Sequence, residues 1–219
     1  MYRQYRKIES GERILVAIDS ASGGGDDTAG QLLSATKLDV PLVYQSEETT
    51  SSFVPELARL LPLIYQITGK KPLVAFERQN GGSFLIDRLA QLNYAGKWEI
   101  FKMPQYGKED AGESVRLGWD TNSATRPKML QELKDAQDHK AFKIYDLPTL
   151  RQMLSFITVK TAASVKAQAE RGSHDDLVMA LAIVWQLYIL DVTLSADEPE
   201  EEDYTQYESY QQPKSDYEI

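Results

Sequence analysis

Cysteine is absent from the 219 residues, which excludes a disulfide framework or a thiolate zinc site and fits a reducing interior. Long apolar runs are missing too: the longest, near Leu177–Leu190, is too short and too close to charges to span a bilayer. The opening MYRQYRKIESGER is polar and charged and carries no signal-peptide pattern. No GxxxxGKS/T phosphate loop occurs, since GGGDDTAG lacks both the lysine and the spacing. A basic surplus is also lacking, the net charge being −9. That deficit is local. From Asp191 onward ten acids face Lys214 alone, and the remaining 23 acids and 23 bases cancel.

What is present suits one soluble globular domain: 42% hydrophobic and 26% charged residues over a length sufficient for a sizeable core. The expected division is a polar linker over 1–12, a folded domain over 13–194, and an acidic tail over 195–219. The tail is rich in Tyr and Gln and too poor in aliphatics to offset the entropy of ordering, so it is expected to stay disordered.

RILVAID (Arg13–Asp19) is a β-branched apolar run ended by a carboxylate, and it reads as a buried strand. After the glycine loop SASGGGDDT, TAGQLLSAT and VPLVYQS read as two further strands of an antiparallel start. Phe53–Gly69 has helical spacing through Leu57, Leu60, Leu61 and Ile64. PLVAFE (Pro72–Glu77) is a second buried strand ending in an acid, followed by a helix over Ser83–Leu92 and a strand over Trp98–Pro104. Residues 105–122 read as a polar excursion at the sheet edge. Helices over Thr125–Gln137 and Pro148–Met153, a hairpin from SFITVKT and SVKAQAE, and a last apolar helix over Ser173–Leu190 complete the order. Strands interleaved with helices give a mixed α/β domain.

Three acid positions fall at element ends: Asp19, Glu77 and the pair Asp175–Asp176. Carboxylates that follow buried strands collect at one end of a sheet, where open α/β folds place their crevices. Such oxygen donors suit Mg²⁺ or Mn²⁺, and two ions about 4 Å apart support phosphodiester hydrolysis. Each acid alone has a plainer reading: Asp19 as a turn residue, Glu77 as a lysine's partner, Asp175 as a helix cap.

The motifs carry a resemblance. IDSASGGGDDT resembles the first nuclease motif of phage large terminase subunits, FERQNGG their second, and GSHDDLVMALAIVW their third; RLGWDTNSATRPKMLQEL is also similar to a terminase segment. The likeness covers roughly Arg13 to Tyr188. It implies the RNase H-like fold, a central mixed β-sheet flanked by helices, and an endonuclease cutting double-stranded DNA with two Mg or Mn ions. It assigns metal-ligand roles to Asp19, Glu77 and one of Asp175 and Asp176. Helical periodicity separates that pair: Asp176 shares a face with Ala180, Ile183 and Leu187, so it is expected to face the sheet, with Asp175 capping the helix or touching the second metal. His174 is a candidate to polarise water or contact the scissile phosphate, or is simply a neighbour of the cap. Asp26 and Asp27 are solvated turn residues or approach the metals. Lys102, Lys108, Arg116, Arg126 and Lys128 are candidate phosphate contacts, while Trp119 reads as core or sheet-edge packing.

Without a phosphate loop the packaging motor's ATPase domain is expected to be absent. The resemblance further implies a viral protein of the host cytoplasm that, at full length, works with a portal protein, a small terminase subunit and a procapsid. The acidic tail reads as a solubilising extension, a portal-docking peptide or a competitor for the DNA groove. The alternatives are another RNase H-like nuclease, such as a Holliday-junction resolvase, and a non-cutting module that binds DNA or portal.

Overall fold

Strand β2 (Ile14–Asp19) is buried along its whole length, so the sheet is covered on both sides at its centre. The computed structural model describes residues 1–20, 27–47, 50–79, 81–103, 116–160, 165–169 and 175–197. Around β2 lie β1 (Tyr2–Gln4), β3 (Thr28–Ser34), β4 (Asp39–Ser46), β5 (Leu73–Phe76) and β6 (Glu99–Ile100), in the order β1-β4-β3-β2-β5-β6. The first three junctions are antiparallel, and β2–β5 and β5–β6 are parallel. This is a mixed, RNase H-like α/β sheet, with the antiparallel start that the sequence suggests.

Strand alternation sends side chains to two separate cores. Ile14, Val16, Ile18, Val74 and Phe76 pack against α1 (Thr50–Thr68) and α2 (Gly82–Leu92) through Phe53, Leu57, Leu61, Ile86 and Leu89. Leu15, Ala17, Ala29, Leu33 and Ala75 face α5 (Asp176–Asp197), backed by α3 (Thr125–Asp138). From Leu177 to Trp185 every residue of α5 is buried, as expected for a helix enclosed between a sheet and other helices. The alanines at 17, 29 and 75 keep that sheet face shallow and bring α5 close. Helix α4 (Leu147–Leu154) starts at Asp146, whose side chain accepts from Thr149 N–H. The antiparallel hairpin of β9 (Phe156–Lys160) and β10 (Val165–Ala169) agrees with the sequence reading.

Three expectations are corrected. The segment 1–12 is not a plain linker, because β1 joins the sheet edge beside β4. Arg3 pairs with Asp146 at 2.5 Å, and Arg6 grips both Glu12 and Asp39. These charges look solvated in the sequence because two of their partners lie 33 and 143 residues away. The strand expected over Trp98–Pro104 divides into β6 and β7 (Lys102–Met103). β7 turns away to pair with β8 (Arg116–Leu117), because Trp119 takes the end of β5 through its N–H to Phe76 O at 2.9 Å. The last helix reaches Asp197 rather than Leu190, with Asp191 anchored by Arg13 at 2.9 Å. Among the described residues no helix is long and apolar enough to cross a membrane. Asp26, Lys108, His174 and the acidic segment 198–219 lie outside the described residues.

Candidate metal centre

Strands β2 and β5 run parallel with Ile18 opposite Phe76, so Asp19 and Glu77 are the next pair in register. Glu77 N–H donates to Ile18 O at 2.8 Å, which continues the pairing by one residue. Alternation puts both carboxylates on the α5 face, in line with Ala17 and Ala75. Asp176 is the first residue of α5 and meets the sheet at the same end. All three acids are buried, at 8%, 6% and 8% exposure respectively.

Asp19 stands among like charges. Burial pushes the Asp19 carboxyl well above its ordinary pKa. The charge and hydrogen bond of Glu77 push it further, as do Asp176 and then Asp175. Each of these three neighbours is an acid. Among the described residues no three His, Asp or Glu side chains are drawn together as a closed ligand cluster; Asp19 and Glu77 instead touch each other. Buried oxygen donors that cannot all ionise side by side suit a hard divalent cation, which would supply the missing positive charge.

Local sequence explains the positions. Gly82 begins α2 directly against the end of β5: a Cβ there would lie 1.6 Å from Glu77 O and 3.2 Å from Ser20 Oγ. Only glycine lets the helix start that close to the acid. Trp119, buried as expected, bridges to Glu77, and its carbonyl accepts from Arg78 N–H at 2.8 Å. Arg78 then holds Asp120 at 2.9 Å and Leu117 O at 2.6 Å, and Gln79 donates to Thr121 O. Arg78 and Gln79 lie inside FERQNGG yet carried no signal beyond turn formation; their partners sit about 40 residues away.

The TNSATRP segment is a helix start. Asn122 Oδ1 accepts from the N–H groups of Ala124 and Thr125, while Thr125 Oγ1 accepts from Asn122 N–H and donates to Asp120 O. This cap places Arg126 on the first turn of α3, where its Nη2 meets Asp175 Oδ2 at 2.7 Å. Asp175 holds the cap position of α5, its carbonyl accepting from Met179 N–H at 2.8 Å, with its carboxylate given to Arg126. Asp176 is the buried member of the pair, as the helical period indicates.

Asp27 contributes through its backbone, its N–H reaching Asp176 Oδ2 at 3.3 Å, while its carboxylate accepts from Gln45 at 2.7 Å. Of the basic candidates, Arg126 is brought to the acids. Lys102, Arg116 and Lys128 are exposed; Arg116 rests 3.3 Å from Asp120 and Lys128 3.8 Å from Glu132. Such surface pairs are weak enough to yield to a phosphate.

The sequence matches no protein-family model and no curated protein, whereas the fold has clear counterparts. The large terminase nuclease from thermophilic phage G20c, solved with bound magnesium, is 17% identical, with a TM-score of 0.58 over 84% of each chain. The Thermus phage P74-26 large terminase nuclease domain is also 17% identical, with a TM-score of 0.58 over 85% of this chain and 83% of that one. A manganese-soaked, inhibitor-bound terminase nuclease domain from human cytomegalovirus is 12% identical, with a TM-score of 0.55 over 81% and 83%. The chain therefore has the RNase H-like fold of large terminase nuclease domains.

Proposed function

We infer that this chain is a metal-dependent endonuclease that cuts double-stranded viral DNA during genome packaging, at initiation and at headful termination. The observation that carries this reading is the contact of Asp19 with Glu77 at one end of the sheet, both buried, with buried Asp176 near enough for its charge to raise the Asp19 carboxyl further. An arrangement that costs stability without a cation is readily understood as a cation site. Solved neighbours of the same fold with bound magnesium or soaked with manganese support the same donor chemistry.

Two Mg²⁺ or Mn²⁺ ions, when bound, supply water activation and stabilisation of the leaving oxygen in phosphodiester hydrolysis. Asp19, Glu77 and Asp176 would hold them, with Asp175 as a further oxygen donor when its pair with Arg126 opens. His174, which precedes Asp175 in sequence, is assigned to the attacking water or the scissile phosphate. Arg126, Arg116, Lys102, Lys108 and Lys128 would bind backbone phosphates, which gives affinity with little sequence preference. A full-length protein would work with a portal, a small terminase subunit and a procapsid, in the host cytoplasm.

A substrate panel tests this. Plasmid, linear duplex and four-way junctions are incubated with Mg²⁺ or Mn²⁺, using the wild-type protein and Asp19→Ala. Duplex cleavage that needs metal and Asp19 is expected. Strict junction preference would instead point to a resolvase, and the absence of any cleavage to a DNA- or portal-binding module.

A further inference from the structure

Gln31 is a fully buried amide on the sheet face that otherwise offers Ala29 and Leu33 to α5. It lies opposite Ala17 in the β2–β3 register, on the same face as Asp19. Its Nε2 donates to two acceptors, Thr149 Oγ1 at 3.0 Å and Leu177 O at 3.2 Å. Leu177 directly follows Asp176. The N–H of Leu177 is held from the other side, by Gln152 Oε1 of α4 at 2.9 Å. Both peptide groups of the residue beside Asp176 are thus fixed by side chains from elsewhere in the fold.

The Thr149 hydroxyl can accept from Gln31 because its own proton is directed elsewhere, to Asp146 Oδ2 at 2.7 Å. Asp146 is fully buried and takes further bonds from Thr149 N–H at 2.8 Å, Tyr5 Oη at 2.5 Å and Arg3 Nε at 2.5 Å. An ionised carboxylate only accepts, so the direction of every hydrogen in this chain of bonds is set. The Gln31 Oε1 finds no partner among the described residues. A leucine would fill the site without leaving that oxygen unsatisfied. The amide therefore costs stability, and what it gains is a hold on one carbonyl beside Asp176.

We propose that Gln31 and Thr149 are positioning residues for Asp176: a buried relay from Arg3 through Asp146, Thr149 and Gln31 to Leu177 O sets where the first turn of α5 stands. The β1 arm and the acid centre are then linked through hydrogen bonds rather than through a shared apolar contact. The role of Asp176 as a metal ligand rests on the nuclease reading above; the relay itself is a matter of hydrogen bonds.

The test uses Gln31→Leu, Thr149→Val and Thr149→Ser in the full chain. It reads thermal stability, hydrogen exchange at the Leu177 amide, and Mn²⁺ affinity by titration of the free-ion signal. A merely structural role makes metal affinity follow stability; a positioning role separates the two. Gln31→Leu is expected to match or exceed wild-type stability while exchange at Leu177 quickens and Mn²⁺ affinity drops roughly tenfold, the scale for partners that orient a ligand. Thr149→Val should behave alike in exchange and affinity, and Thr149→Ser, which keeps the hydroxyl, should restore both. Wild-type exchange and affinity in folded Gln31→Leu and Thr149→Val would overturn the proposal. A wild-type protein that binds no Mn²⁺ would remove the metal centre instead, with Leu177 exchange still deciding the relay.

Discussion

Arg126 Nη2 stands 2.7 Å from Asp175 Oδ2 and joins the first turn of α3 to the residue that precedes α5. Both side chains are about a quarter to a third exposed, at 24% and 30%, so the pair is reachable by a ligand yet sits beside buried Asp176. Asp175 thus has a cation opposite it. The guanidinium is not exhausted by that contact, since its Nε has no partner among the described residues.

This arrangement gives Arg126 two effects that a mutation separates. In Arg126→Ala the acid centre becomes more negative, so the Mn²⁺ concentration for half-maximal cleavage should fall or hold. Loss of one phosphate contact should raise the KM for DNA and flatten its dependence on the logarithm of salt by about 1. Cleavage rates measured across a salt series at saturating Mn²⁺ check this. An unchanged salt slope would remove Arg126 from the DNA interface.

Asp19→Asn should part stability from activity. Asparagine keeps the shape and removes an acid whose carboxyl Glu77, Asp176 and Asp175 all push above its ordinary pKa. Without metal, the variant should therefore resist urea better than the wild type at neutral pH, because repulsion between like charges is relieved. Its metal-dependent cleavage should fall by at least about a hundredfold, the upper range for loss of outer-shell partners. A variant that is both weaker in urea and still active would contradict the assignment.

The acids at strand ends were legible because a parallel pair of buried strands leaves few places for a carboxylate except the end. Helical spacing alone put Asp176 rather than Asp175 on the inward face, and its exposure of 8% agrees with that placement. What the sequence hid was pairing at long range. Arg126 and Asp175 are 49 residues apart, and Arg3 and Asp146 are 143 apart. No local pattern states which acid an arginine will meet. Gln31 did leave a trace, as one polar residue inside TAGQLLS, but its acceptors at Thr149 and Leu177 are set by how α4 and α5 pack. The split of Trp98–Pro104 was hidden for a similar reason, since it depends on Trp119 pairing with the end of β5.

Gly82→Ala tests how tightly the second acid is placed. The added methyl would meet the Glu77 carbonyl, and backbone cannot swing aside as a side chain can. Overpacking of this kind costs about 1–3 kcal/mol. The strain falls on the acid itself, so Mn²⁺ affinity should drop along with stability. Urea unfolding and Mn²⁺ titration on the same preparation check both, and full metal affinity in a destabilised protein would show that Glu77 tolerates the shift.

The sheet edge far from the acids should govern the acid limb of stability. Burial raises the Glu12 carboxyl, but bonds from Arg6, from Ser34 and from the Glu9 N–H outweigh that and hold it at about 2. The two guanidinium contacts, at 2.7 and 2.8 Å, form a fork on a carboxylate that is 1% exposed. A folded pKa below the unfolded value of 4.5 means the folded state binds the proton less readily. Glu12 therefore contributes its full stability above about 4.5 and loses it as the pH falls toward 2, an amount on the order of 3 kcal/mol. Glu12→Gln should be less stable than the wild type at pH 6, and the gap should close by pH 2 to 3. Urea midpoints at several pH values measure it. A gap that stays constant with pH would mean that Arg6 is satisfied by Asp39 alone, 2.5 Å away, and that Glu12 acts through packing rather than charge.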